Sequence, residues 1–158
     1  MLQHKIDSAG LRYEVVNAAV SGETSSGHLR SISWLLRQPF DVIVIESGAN
    51  DGLRGVPVEA MERNIQAMID SVRAIRPTAR IVLAQMEAPP NMGATYTRRF
   101  RGVFPALAQR NNVTLLPFIL DGVAGVRELN QGDGIHPNLR GERIVAENVW
   151  RGLRPVLE

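Results

Sequence analysis

The chain has 158 residues, of which 44% are hydrophobic and 22% charged, and these values are typical of a single globular domain. It contains no cysteine, which excludes disulfides, thiolate catalysis and zinc–thiolate sites. The net charge is only +2, and all basic residues except Lys5 are arginines, so the high isoelectric point reflects arginine chemistry and gives no indication of nucleic-acid binding. The apolar runs are far shorter than the ~20 residues of a membrane span.

Short apolar runs alternate with helical patterns in the first half of the chain. Residues 2–9 fit a short helix, and residues 13–18 (Tyr-Glu-Val-Val-Asn-Ala) are interpreted as a strand. A helical pattern with inward-facing leucines and isoleucine spans residues 24–37. The β-branched run of residues 41–47 predicts a strand that is buried on both faces.

The second half continues the alternation. A helix is predicted after Pro57, with apolar residues at three- and four-residue steps up to Ile75. Residues 80–86 predict a second buried strand, and residues 113–117 a shorter one. Between and after them, stripes that run from Phe100 to Ala108 and from Ile144 to Leu153 predict two more helices. The alternation predicts an α/β fold with a mainly parallel sheet, in one domain over residues 1–158.

The unusual polar clusters follow the ends of predicted strands. Residues 21–23 (Ser-Gly-Glu) follow the first strand, residues 48–51 (Gly-Ala-Asn-Asp) the second, and residues 87–91 (Glu-Ala-Pro-Pro-Asn) the third. Residues 133–138 (Asp-Gly-Ile-His-Pro-Asn) lie between the last strand and the last helix. Sites in open α/β sheets form outside the carboxyl ends of the strands, so we expect these clusters to converge at one edge.

Four residues in these clusters have the chemistry of an acyl-transfer site. His136 is a candidate general base, and Asp133, three residues earlier, is the carboxylate that would orient its ring. The Asn50 side chain and the Gly22 backbone N–H are candidate donors to a developing oxyanion. Each also has a simpler interpretation as part of an ordinary turn, or, for Gly22, as the end of a loop before a helix cap.

The three segments around Gly22, Asn50 and Asp133/His136 resemble three of the four sequence blocks of the SGNH hydrolases, the GDSL-type esterases and lipases. Residues 48–55 and 115–118 are particularly similar to the bacterial thioesterase, arylesterase and lysophospholipase branch. The resemblance implies a flavodoxin-like three-layer α/β/α sandwich. It also implies that Gly22 and Asn50 are oxyanion donors, that His136 is the base and Asp133 its partner, and that no metal or organic cofactor is needed.

One block of that family is missing. The Gly-Asp-Ser-Leu block supplies the nucleophilic serine at the end of the first, central strand, and nothing before Gly22 matches it; the nearest imitation is Ser8 in residues 7–10 (Asp-Ser-Ala-Gly). Three explanations are open. The sequence is N-terminally truncated, or the segment comes from another chain or copy in a homo-oligomer, or the strands have re-paired and the domain persists without catalysis.

The resemblance implies a serine esterase that hydrolyses small-molecule carboxylic esters or thioesters through an acyl-enzyme. We expect this chain to be impaired because the serine block is absent. The alternatives are a non-catalytic remnant that binds an acyl or glycan ligand, and an interaction domain unrelated to hydrolysis. In the loop of residues 87–96, Pro90 and Met92 are candidate substrate-binding residues, although ordinary loop packing also accounts for them. Intact relatives are often exported, but no signal peptide is recognisable here, so the compartment is left open.

Overall fold

A computed structural model describes residues 1–158. The elements in chain order are α1 (Leu2–Ser8), α2 (Ser25–Leu35), β1 (Val42–Ile45), α3 (Ala49–Arg54), α4 (Val58–Ile75), β2 (Arg80–Ala84), α5 (Ala94–Asn111), β3 (Thr114–Leu116) and α6 (Leu139–Leu157), with short 3₁₀ turns at Pro90–Met92 and Arg127–Leu129. Strands alternate with helices, which confirms the predicted α/β class. No helix combines the length and apolar character needed to cross a membrane.

The chain forms two compact units. One comprises Ala18–Leu115, and the other combines Met1–Asn17 with Leu116–Glu158. The small sheet has the strand order β1-β2-β3, and β1 and β2 run parallel, with Ile45 paired to Leu83. The predicted parallel sheet is therefore confirmed.

The prediction that the strand within residues 41–47 is buried on both faces is wrong for β1. Val44 is 40% exposed, and only Ile45 of this strand is fully buried. The reason is position, because β1 lies at the edge of the sheet and pairs with a strand on one side only. In β2, by contrast, every residue after Arg80 is buried, as predicted.

The core of the Ala18–Leu115 unit lies under helix α4. Six residues of its apolar stripe are buried at helical spacing, and they are Val58, Met61, Ile65, Met68, Ile69 and Val72. Phe100 and Phe104 of α5 pack in the same cluster, with tilted rings whose centroids are 5.6 Å apart. Both helices match the predicted stripes, and α4 stops before Pro77, which disfavours helical geometry in the preceding residue.

The predicted strand at residues 13–18 does not form, and this segment is irregular. The Gln3 side chain forms two of the backbone hydrogen bonds that a neighbouring strand would otherwise supply. Its Nε2 donates to the Tyr13 carbonyl at 2.9 Å, and its Oε1 accepts the Val15 N–H at 2.7 Å. Val16, in the middle of the segment, is 79% exposed. Local strand propensity is weak, and without a covering layer it does not produce a strand.

The rest of the second unit is organised around α6. Helix α1 packs against it, and Lys5 forms an ion pair with Glu147 at 2.5 Å. The Asn138 side chain caps α6 by accepting the N–H groups of Arg140 and Gly141 at 3.0 and 3.2 Å. The cap fixes the point where the chain leaves the segment of residues 133–138 and enters the helix.

Replacing Phe104 with alanine tests the core assignment. Because its ring is fully buried, we expect Phe104→Ala to lower the free energy of unfolding by about 3–5 kcal/mol. Trp34→Ala is the matched control, since this aromatic side chain is 62% exposed, and it should cost far less. Urea denaturation followed by circular dichroism measures both, and equal losses would contradict the assigned core.

Candidate active site

Asp133 and His136 form a hydrogen-bonded pair within one exposed loop. Oδ2 of Asp133 lies 2.7 Å from Nδ1 of His136. The other carboxylate oxygen accepts the backbone N–H groups of Ile135 and His136 at 2.9 and 3.0 Å. The Gly134 φ of +73° permits the turn that brings both N–H groups onto one oxygen. The expected pairing of the acid with the imidazole is thus present in the loop itself.

These contacts keep the Asp133 carboxyl group ionised and determine which ring nitrogen of His136 faces it as a donor. The hydrogen bond from His136, followed by the two backbone N–H groups, lowers the pKa of Asp133 to about 2. At neutral pH the carboxylate can only accept, so Nδ1 of His136 carries the proton. When the ring is neutral, its Nε2 is therefore a proton acceptor, which is the tautomer that a general base requires.

Two asparagines stabilise the loop that carries Asp133 and His136 through side-chain hydrogen bonds to backbone carbonyls. Asn130 donates its side-chain amide to the carbonyls of Val123 and Val126, both at 2.7 Å. Asn138 donates to the carbonyl of Asn130 at 3.2 Å while it caps α6. A bridge between Asn130 and Pro137 closes the base of the loop. His136 is exposed, but its loop lies between the buried Asn130 and the half-buried Asn138, both of which are hydrogen-bonded.

Asn50 lies in the first turn of α3, where the sequence predicted a loop. It is half-buried and follows Gly48, whose φ is +110°. A Cβ on Gly48 would come within 2.8 Å of Met61 Sδ and 3.3 Å of the Phe104 ring, and the positive φ would strain any other residue, so glycine is favoured there. The core therefore fixes the chain direction just before Asn50.

Gly22 is exposed, in a turn with φ +79°. Nη2 of Arg54, at the end of α3, donates to its carbonyl oxygen at 2.9 Å. Gly22 and Asn50 both belong to the Ala18–Leu115 unit, whereas Asp133 and His136 belong to the other. The convergence of the four residues on a single pocket stays a prediction.

Two polar contacts that no sequence pattern predicted join α2 to the segment around Asn50. Ser25 is the first residue of α2 and is completely buried against the Asp51 carboxylate. Ser47 is also buried, with its hydroxyl 2.8 Å from Nδ1 of His28. The two residues of each pair are more than 15 residues apart in sequence, so no local pattern indicates either contact. The contacts become visible only in the structure, where both serines are buried.

Four serines of the chain make other contacts. Ser8 donates to the His4 carbonyl at 2.7 Å, as a helical serine often does. Ser25 and Ser47 are buried in the pairs just described. Ser26 is exposed and interacts with its helix neighbours Thr24 and Arg30. None of these four is bonded to the Asp133/His136 pair.

Of the two candidate substrate-binding residues, Met92 lines an open cleft of about 540 Å³ and Pro90 does not. Gly55, Val58, Tyr96 and Arg99 are among the other lining residues. The Tyr96 hydroxyl donates to the Val56 carbonyl at 2.8 Å, which holds one wall of the cleft.

Comparison with known proteins gives consistent matches over almost the whole chain. Residues 1–144 match the GDSL-like lipase/acylhydrolase family. The chain is 40% identical over 158 residues to esterase TesA of Pseudomonas aeruginosa, a match that covers 99% of this chain and 78% of that protein. It is 37% identical over 140 residues to an arylesterase of Vibrio mimicus, covering 88% of this chain and 69% of that one.

Solved structures agree with the sequence matches. The crystal structure of TesA superposes with a TM-score of 0.92 at 40% identity, over 99% of this chain and 86% of that chain. Esterase EstA from Pseudoalteromonas sp. also gives 0.92, at 34% identity, over 99% and 85%. The predicted family resemblance and its α/β fold are thereby confirmed.

The low pKa of Asp133 can be measured directly by carbon-13 NMR titration of its carboxyl group. We expect a midpoint at about 2, below the ordinary 3.8. Because the depressed pKa reflects a favoured carboxylate, its contribution to folding is present above 3.8 and is lost as the pH falls towards 2. His136→Ala should raise the midpoint, and an unchanged midpoint in that variant would exclude the imidazole as the main cause.

Proposed function

The chain belongs to the GDSL-like lipase/acylhydrolase family, whose members are ester hydrolases, and we propose that it hydrolyses small carboxylic esters or thioesters through an acyl-enzyme. The observation that carries this proposal is the Asp133–His136 hydrogen bond, with the carboxylate ionised and the imidazole in the tautomer of a general base. Relatives named esterase, arylesterase and thioesterase 1/protease 1/lysophospholipase L1 support an ester or thioester substrate.

In the proposed reaction, His136 Nε2 takes the proton of a serine hydroxyl as the oxygen attacks the acyl carbonyl. Asp133 holds the ring in place and stabilises the imidazolium that results. The Gly22 backbone N–H and the Asn50 side-chain amide donate hydrogen bonds to the oxyanion of the tetrahedral intermediate. His136 then protonates the leaving group, and a water molecule clears the acyl-enzyme by the same steps in reverse.

We propose that the serine lies on a segment outside these 158 residues, an apolar strand that ends in Gly-Asp-Ser-Leu. The engagement of Ser8, Ser25 and Ser47 in other contacts supports this. The free side of β1 is where such a strand would extend the sheet, because β1 has a neighbour on one side only. On this proposal, residues 1–158 are one N-terminally truncated domain and hydrolyse esters poorly by themselves.

Substrate contacts are proposed for the loop after β2. Met92 supplies a flexible apolar surface at the 540 Å³ cleft, which suits an acyl chain. Pro90 would act indirectly by stiffening the turn that carries Met92, since the 3₁₀ turn begins at Pro90.

The decisive experiment supplies the missing block. We expect the purified 158-residue protein to cleave a short-chain nitrophenyl ester no faster than its own His136→Ala variant. A segment that contains an apolar strand and Gly-Asp-Ser-Leu should restore hydrolysis, either when it is fused to the amino terminus or when it is co-expressed as a separate chain. Robust hydrolysis by the 158-residue chain alone, lost in His136→Ala, would disprove the proposal that the serine lies elsewhere.

Substitutions in the complemented protein test the individual roles. Asn50→Ala should lower kcat roughly 10²–10³-fold, the usual cost of one oxyanion donor. His136→Ala should lower kcat roughly 10²–10⁴-fold, as expected for a general base. His4→Ala is the matched control, because this exposed histidine of α1 should be dispensable. Ligand binding without turnover in every form would favour a non-catalytic binding protein instead.

A further inference from the structure

A buried polar cluster joins α2 to α3 within the Ala18–Leu115 unit. Asp51 and Ser25 are 1% and 0% exposed. One oxygen of the Asp51 carboxylate accepts the Ser25 N–H at 2.7 Å, and the other accepts the Ser25 hydroxyl at 2.6 Å. The Ser25 oxygen in turn accepts the Asn64 side-chain amide at 2.9 Å. Every member of the cluster therefore has a partner.

A buried carboxylate is costly unless it is fully hydrogen-bonded, so this cluster needs a reason to persist. Part of the reason is local. Thr24 is the N-cap of α2, but its side chain makes no capping hydrogen bond. Asp51 supplies the missing acceptor from a different helix, and its negative charge also suits the amino end of the α2 dipole.

The positions of these residues link the cluster to the proposed oxyanion donors. Asp51 directly follows Asn50, and Ser25 lies three residues after Gly22. At the other end of α3, Arg54 holds the Gly22 carbonyl at 2.9 Å. Helix α3 therefore contacts this segment at two points, through Arg54 at Gly22 itself and through Asp51 at Ser25. A shift of α3 that moved Asn50 would be transmitted to Gly22 through these contacts.

We propose that Asp51 is a positioning residue that sets the distance between the Gly22 N–H and the Asn50 amide, through its paired hydrogen bonds to Ser25. The inference rests on the proposed function, because it assigns a purpose to the spacing of those two donors. Donors must be preorganised to stabilise an oxyanion, and a misplacement of about 1 Å can cost roughly 100-fold in rate.

The first test uses the 158-residue protein and requires no activity. In ¹⁵N NMR spectra, Ser25→Ala and Asp51→Asn should shift both the Gly22 backbone amide and the Asn50 side-chain NH₂ signals. Ser25→Thr keeps the hydroxyl and should restore both. Ser26→Ala is the matched control on the exposed neighbour of Ser25 and should leave both signals in place. Should Asp51→Asn fail to fold, the Ser25 series still decides the outcome.

The second test measures ester hydrolysis in the protein complemented with the Gly-Asp-Ser-Leu segment. We expect Ser25→Ala to lower kcat roughly tenfold with little change in KM, because oxyanion contacts act mainly in the transition state. Ser25→Thr should recover most of the rate. A loss of thermal stability with kcat and both NMR signals unchanged would overturn the proposal and leave Asp51 a purely structural residue.

The two tests separate this inference from the function on which it rests. If the complemented wild-type protein hydrolyses no ester, the proposed function fails, whereas the NMR signals still show whether Asp51 couples Gly22 to Asn50. If the complemented protein hydrolyses esters and Ser25→Ala leaves the Gly22 and Asn50 signals unchanged, the proposed function stands and the positioning role of Asp51 is rejected.

Discussion

Burial of the apolar stripe on α4 is the constraint on which the Ala18–Leu115 unit depends. Met61 of that stripe, together with Phe104 of α5, packs closely against Gly48. Glycine at this position permits both the close packing and the left-handed conformation directly after β1, and α3 begins at the next residue. Hydrophobic packing thus places Asn50, and the polar bonds of Asp51 refine its surroundings. The core of this unit and the Asn50 segment are parts of one packing arrangement.

The Asp133/His136 loop differs from the core segments, because its hydrogen-bonded acid–imidazole pair is exposed to solvent and still ordered. Hydrogen bonds to exposed side chains contribute little to stability, because water competes for them. Here the order comes from the backbone, through the Asn130–Pro137 bridge and the Asn138 cap of α6. The imidazole is therefore exposed to solvent although the backbone of its loop is ordered.

The sequence predicted those features whose cause is local. The α4 and α5 stripes, the Asp133–His136 pair and the family resemblance can all be recognised from short spacings. The strand at residues 13–18 was predicted wrongly, because a strand depends on neighbours that the segment itself does not specify. Helix α3 was missed, since Gly48, Gly52 and Gly55 resemble a loop. The Ser25–Asp51 contact spans 26 residues, and no local pattern indicates it.

The open side of β1 also affects how the isolated chain would behave in solution. Its unpaired peptide groups and the exposed Val44 form the kind of surface on which a second extended chain readily adds by backbone hydrogen bonding. Natural proteins usually protect such edges with charged residues or proline, and Val42–Ile45 contains neither. High protein concentration would therefore favour aggregation through this edge. A strand paired with β1 would cover the edge and so keep the chain soluble, in addition to carrying the proposed serine.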